Sequence, residues 1–283
     1  MRLSAAVLIS IACLQGCDRA AAKPKVPTPA DEPPRVVGTV HAPYELYQAL
    51  QNAGVMNVSS YEMAKLADGH SIYRVYTLGR DAENLWPQMV KNLAPLNYYP
   101  VVVGSADDVR EFQEVLKIQT VKAAPQPAIS PVAWLADRRK SAADPPDGQW
   151  KEDVKLPEYF NSLYLPGWNK FRPTLYFAMV PTQDQYKAME ILRFGGFGDC
   201  PPSNVHTAIA RYWGKKYKAQ VFAVRPKGLE MYVEKPPETQ DEALALAWEQ
   251  YSYCPATLAK GDGSIEGLAS YLLGNQRWEF VWD

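Results

Sequence analysis

AQVFAVRPKGLEMYVEKPPETQDEALALAWEQYSY, residues 219–253, carries two periodicities in one short stretch. Ala219–Val224 and Leu229–Val233 are apolar-rich runs of strand length. Pro226 and Gly228 lie in the link, so the runs read as neighbouring antiparallel strands. Thr239-Gln-Asp-Glu242 is a capping box, in which threonine and glutamate side chains satisfy each other's backbone N–H. It opens a helix to about Tyr253 with Ala243, Leu246 and Gln250 on the apolar stripe. Strand, strand and helix joined this closely predict an α+β fold, with a mixed, mainly antiparallel sheet packed with helices.

Working towards the N-terminus, a helix spans about Ser203 to Tyr217 behind a Gly-rich turn at Gly195–Gly198. Thr182–Glu190 reads as a capped helix and Thr174–Val180 as a strand. Towards the C-terminus, a short helix starts at Ser264 and Trp278–Trp282 is a strand. The N-terminal half repeats the mixture. Val36–Val40 is a short strand and Ala42–Ala53 a helix with Leu46, Ala49, Leu50 and Ala53 on one stripe. Ser59–Leu66 and Ser71–Leu78 pair around Asp68-Gly69, a hairpin signal. Ala82–Leu93 is helical, Tyr98–Val103 a buried strand, and Ser105-Ala-Asp-Asp108 opens a helix towards Ile118. No internal repeat is present.

Between Gln119 and Pro173 the pattern fades: eight prolines and one predicted helix, Val132–Arg139. A stretch this long inside a folded body implies unresolved elements or a functional flap. Trp134, Trp150 and Trp168 fall within it and are expected to pin it to the body, with binding anchors as the alternative.

The N-terminus carries Met1-Arg2, an apolar run Leu3–Leu14, and Leu14-Gln15-Gly16-Cys17. A basic start and a short apolar run make a secretion signal too short to span a bilayer. The last four residues resemble a bacterial lipobox, which makes Cys17 the lipidation site and membrane anchor. Asp18 favours retention at the inner membrane, with the outer membrane as the alternative; either way the body faces the periplasm. Residues 18–35 hold five prolines and have nothing to bury, so they form an extended tether of up to roughly 50 Å. The expected organisation is a signal peptide at 1–16, lipidated cysteine and tether at 17–35, an N-terminal α/β region at 36–118, an irregular connector at 119–173, and a C-terminal domain at 174–283.

Removing residues 1–16 leaves 29 basic and 31 acidic residues, a formal charge of −2. That balance gives no field for nucleic acid. With 47% hydrophobic residues the chain can build an ample core.

The motifs Phe194-Gly-Gly-Phe-Gly-Asp-Cys-Pro201, Ala210-Arg-Tyr-Trp213, Glu230 to Pro237, Ala243 to Tyr251, Tyr253-Cys-Pro255 and Trp278-Glu-Phe-Val-Trp-Asp283 occur in register. In that order they resemble the bacterial domain of unknown function 4253 family. The resemblance covers about residues 174–283, with Tyr98–Leu116 similar to a region of longer members. It implies a C-terminal fold unit and no particular chemistry. The chain departs from the pattern at Phe197 and Gly198, where tryptophan and asparagine are usual, at Ala256 in place of aspartate, and at Val281 in place of an aromatic residue.

Candidate chemistry centres on Cys200, Cys254 and His206. In an oxidising compartment Cys200 and Cys254 can close a loop of about 55 residues, worth roughly 4 kcal/mol, or remain buried free thiols. A Cys200–His206 nucleophile oriented by Asp199 is the catalytic alternative. Against it, the helical wheel sets His206 on the apolar side of its helix, as a hydrogen-bonded core histidine. Gly196, Phe197, Glu249 and Gln250 are a candidate pocket, with Gln250 the buried polar outlier. There is no metal-ligand spacing, phosphate loop or nucleophile elbow, and no cofactor is implied. The expected function is a lipid-anchored, non-catalytic binding protein with a protein partner, for instance an immunity lipoprotein that neutralises a toxin. The alternative is a cell-envelope hydrolase or thiol enzyme using Cys200 and His206.

Overall fold

The computed structural model of the chain describes residues 41–56, 58–118 and 128–283. The signal segment, Cys17, Asp18, the tether, the strand expected at Val36–Val40 and the start of the connector lie outside the described residues. The strands are β1 (Tyr61–Lys65), β2 (Ser71–Thr77), β3 (Tyr99–Gly104), β4 (Leu175–Val180), β5 (Ala219–Arg225), β6 (Gly228–Val233) and β7 (Arg277–Val281). They form one sheet in the order β1-β2-β4-β3-β5-β6-β7. Every pairing is antiparallel except β3 with β5, which are parallel at Val102↔Ala223. The α+β expectation therefore holds. Strand order was not legible, because β3 from the N-terminal half sits between β4 and β5 of the C-terminal half.

The helices are α1 (Tyr44–Asn52), α2 (Gly79–Leu93), α3 (Ala106–Ile118), α4 (Pro131–Ser141), α5 (Ala188–Ile191), α6 (Ser203–Tyr217), α7 (Gln240–Tyr253) and α8 (Ile265–Leu272). Strand side chains alternate between faces, and both faces of the β5–β7 region are covered. On one face the Trp213 ring of α6 stacks on Phe280 at 5.3 Å and meets Trp278 and Tyr253 edge-on at 5.7 and 5.2 Å. On the other, Trp86 of α2 meets Phe222 and Tyr232 edge-on at 5.4 and 6.1 Å and donates its indole N–H to the Pro100 carbonyl at 3.1 Å. Burying each such ring contributes roughly 2–3 kcal/mol, and truncating Trp213 to alanine costs about 3–5 kcal/mol.

The capping box at α7 is present, with Thr239 Oγ1 accepting from the Glu242 N–H and Glu242 accepting from the Thr239 N–H, both at 3.3 Å. The helix expected at Thr182–Glu190 is different. The Thr182 hydroxyl accepts the Asp184 N–H at 3.0 Å, which holds the chain in a turn and delays the helix. Asp184 then caps a single 3-10 turn, Gln185–Lys187, and α5 has only four residues.

The connector is pinned along its described length. Trp134 of α4 meets Tyr253 edge-on at 6.5 Å, and the Arg139 guanidinium lies 3.8 Å over the Trp248 ring. Beyond α4 the Tyr251 hydroxyl donates to the Ala143 carbonyl at 2.6 Å, and the Lys151 N–H donates to Ser270 Oγ at 2.8 Å. The segment then reaches the opposite face of the sheet. There Arg277 donates to the Pro157 carbonyl at 3.4 Å, and Phe160 stacks on Phe222 at 4.1 Å. Trp134 and Trp150 are packed against the core, while Trp168 sits half-buried in a turn closed on Leu165. Among the described residues no helix is long and apolar enough to cross a membrane.

Candidate functional site

Cys200 ends the Gly-rich turn and His206 lies one turn into α6, which brings the two side chains together. Cys200 Sγ lies 3.4 Å from His206 Nε2, and His206 Nδ1 hydrogen-bonds the Tyr253 hydroxyl. The turn is built against the imidazole. Gly195 has φ +92, and a Cβ there would lie 2.1 Å from the Pro201 carbonyl oxygen and 2.6 Å from His206 Nε2. Only glycine satisfies both the backbone angle and the close approach. Phe194, Tyr253 and Trp282 enclose the ring, with centroids 4.6, 5.5 and 5.2 Å away.

The electrostatics follow from this enclosure. Burial pushes the Cys200 thiol up to about 12; nearby Cys254 adds to the rise, and the Gly196 N–H opposes it. Burial pushes His206 down to about 3, against a small opposing pull from the Pro201 carbonyl. Both groups are neutral at physiological pH. A ring N–H at Nε2 facing the Pro201 carbonyl leaves Nδ1 to accept from Tyr253. Asp199, expected to orient the histidine, is exposed, and Tyr253 occupies that role.

Cys200 and Cys254 are free and buried, the second of the two alternatives that the sequence leaves open, and no disulfide joins them. Each sulfur has its own neighbour: Cys200 faces His206, and Cys254 donates to the Val281 carbonyl at 3.3 Å. Burial pushes the Cys254 thiol up to about 11.

The four residues of the candidate pocket do not converge. Gly196 is exposed and Phe197 half-buried beside the start of α6. Glu249, expected on a polar face, is drawn onto the far end of α6. It accepts from Tyr212 Oη at 2.8 Å, Trp213 Nε1 at 2.9 Å and Lys216 Nζ at 3.0 Å. Ten residues of helix separate the two places, roughly 15 Å. Gln250 is buried as expected, and its Nε2 has no hydrogen-bond partner among the described residues. Ala256 is exposed in the first turn of the 3-10 helix Pro255–Lys260.

Sequence reasoning missed a second polar cluster. Glu230 of β6 and Glu279 of β7 are directly opposed in register. Arg225 Nη2 lies 3.5 Å from Glu230 Oε1 and 3.2 Å from Glu279 Oε1, and Lys260 pairs with Glu279. Glu230 is fully buried. Its carboxyl is raised above the ordinary value, first by burial and further by Glu279, while Arg225 and Ser162 pull it back. The available signal was a lone acid in each of two apolar strands, Leu229-Glu-Met231 and Trp278-Glu-Phe280, since a buried charge needs a partner.

Two cavities lie elsewhere. One of about 440 Å³ is lined by Lys216, Lys235, Pro237 and Asp241 among others. The other, about 510 Å³, is lined by Val55, Met56, Tyr76, Leu78 and Leu85 with Arg80 and Asp81 at its side. Among the described residues no group of three or more His, Cys, Asp or Glu side chains is placed to hold a metal ion.

Residues 176–283 match the family model described as Domain of unknown function (DUF4253), which supports that domain family for the C-terminal part. No curated protein and no solved structure matches the chain. The matched segment holds β4 and β5 but not β3, the strand that separates them in the sheet.

Proposed function

We propose that this chain is a lipid-anchored binding protein, held at the periplasmic side of a bacterial membrane through Cys17, that acts by contact rather than by chemistry. The observation that carries this reading is the state of Cys200 and His206. A thiol nucleophile works as a thiolate beside an imidazolium. Here the thiol is held near 12 and the imidazole near 3. Burial disfavours both charged forms, so both shifts oppose moving the proton from the thiol to the imidazole. The pair therefore reads as core architecture. The contact face best supported is the groove around Met56 and Leu78, two of the few large apolar side chains left exposed.

A concrete form of this reading is an immunity lipoprotein that neutralises an incoming toxin at the membrane. It predicts that the chain protects cells co-expressing a toxin encoded beside its gene. It also predicts that protection survives Cys200→Ser but weakens when Met56 and Leu78 are changed to charged residues. Absence of protection, or its loss with Cys200→Ser in a protein that still folds, counts against it. Cys17→Ser abolishes fatty-acid labelling and membrane fractionation if the anchor is as proposed.

The competing reading, an envelope hydrolase or thiol enzyme using Cys200, His206 and Asp199, has one observation in its favour, the 3.4 Å contact between Cys200 and His206. The exposed position of Asp199 and the neutral states of the other two weigh against it.

A further inference from the structure

We propose that residues 142–163 form a releasable strap, latched to the sheet by the opposed carboxylates of Glu230 and Glu279, and that the proton on Glu230 controls the latch. The strap leaves α4 beside α7, runs along α8, and ends on the face covered by α2. Its terminal contacts include the two glutamates, beside the Phe160 stack on Phe222 and the Arg172 N–H donating to the Leu163 carbonyl at 2.8 Å. The Ser162 N–H donates to Glu230 Oε1 at 2.8 Å, and Asn161 Nδ2 donates to Glu279 Oε2 at 2.5 Å. The strap has little regular structure of its own between Ala142 and Phe160. Segments held mainly by side-chain and loop contacts open at lower free energy than the strands beneath them.

The charged groups around the latch come from β5, β7, α2, the 3-10 helix after α7 and the loop before β4, where Arg172 Nε donates to the Ser162 carbonyl at 3.0 Å. Arg225 on β5 reaches both carboxylates, and Lys260 from the 3-10 helix after α7 pairs with Glu279. Arg277 on β7 and Glu83 on α2 pair with each other at 2.5 Å and lie on the same face. Two carboxylates thus share a single bridging guanidinium, and the more deeply buried one has its Oε2 without a hydrogen-bond partner among the described residues. A proton on Glu230 removes the burial cost of the charge and the repulsion from Glu279, which together outweigh the weakening of the Ser162 and Arg225 contacts.

The direction follows from linkage. In the latched state the Glu230 carboxyl is raised; in the released state it faces water and has its ordinary value. The latched state therefore binds the proton more tightly. Latching is strongest below the ordinary carboxylate value, weakens as pH rises through the raised one, and is constant above it.

Hydrogen exchange of the full chain between pH 4.5 and 8.5, corrected for intrinsic rates, tests this on peptides covering 142–163. The opening constant should rise with pH by up to about tenfold per unit within one window and then level off. Glu230→Gln, which mimics the protonated acid, should remove the rise and keep the strap protected throughout. Glu279→Gln should move the window to lower pH, and Asn161→Ala should loosen the strap at every pH without changing the slope. Exchange of the strap independent of pH overturns the proposal. So does a slope that persists in Glu230→Gln, or strap exchange that merely tracks α6. If Glu230→Gln does not fold, the Glu279→Gln shift decides: an unmoved window overturns the proposal.

Discussion

His206 and Tyr253 are locked together across α6 and α7, with the imidazole Nδ1 hydrogen-bonded to the phenol hydroxyl inside a wall of aromatic rings. The contact joins the two helices that cover one face of the sheet, at the point where the Gly-rich turn packs onto them. Tyr253→Phe leaves a buried ring nitrogen without its partner, which costs about 1–3 kcal/mol. Urea denaturation of the full chain should show that loss as a lower midpoint with an unchanged slope.

Protonation of the same imidazole sets an acid limit on stability. The unfolded chain takes up the proton near 6.5, whereas the folded chain holds His206 neutral down to about 3. The contribution is complete above pH 6.5 and falls by up to about 1.4 kcal/mol per unit as pH drops towards 3. Melting curves from pH 7.5 to 4 should show this decline, and His206→Gln should flatten it. The strap responds in the opposite sense over part of this range, so global melting and strap exchange are separable.

The Gly-rich turn contains two glycines with opposite tolerance. Gly195→Ala sets a Cβ 2.1 Å from the Pro201 carbonyl at φ +92, and should destabilise by about 2–4 kcal/mol or prevent folding. Gly198 has φ +48, and its nearest contact is ordinary, 3.4 Å from the Asp283 carbonyl. Asparagine tolerates that backbone region. Gly198→Asn should therefore change the denaturation midpoint by less than about 0.5 kcal/mol equivalent.

The matched C-terminal segment should not fold alone. Without the N-terminal strands, β4 loses both its neighbours, β2 and β3, β5 loses β3, and the buried side chains of Val101, Val102 and Val103 are missing. Expressed as residues 174–283, the segment should be aggregation-prone or lack dispersed amide resonances, because both edges of β4 and one edge of β5 are left open. A fragment beginning before β1 should restore cooperative melting.

Much of the local structure was legible from the chain. The pairing of Ser71–Thr77 with Tyr61–Lys65 follows from Asp68-Gly69, and α6 and α7 follow from their periodicity and from the Thr239–Glu242 cap. These signals act over a few residues. The insertion of Tyr99–Gly104 between two later strands depends on which apolar edges meet in three dimensions, and no local motif encodes it. The site was half legible. His206 was correctly placed on the apolar side of α6, but its partner is Tyr253, 47 residues away, and not the adjacent Asp199. Glu249 was assigned to a polar face because a wheel treats its helix as isolated, whereas the neighbouring α6 supplies three donors to it.

Cys200 is a neutral core thiol, and the reaction of the folded chain with iodoacetamide reads that state out. In a variant with Cys13 and Cys17 changed to serine, neither Cys200 nor Cys254 should be alkylated between pH 7 and 9, and both should react once the chain is denatured. Rapid alkylation of Cys200 in the folded chain, with a pH midpoint below 8, would reveal an accessible, activated thiol and restore the thiol-enzyme reading.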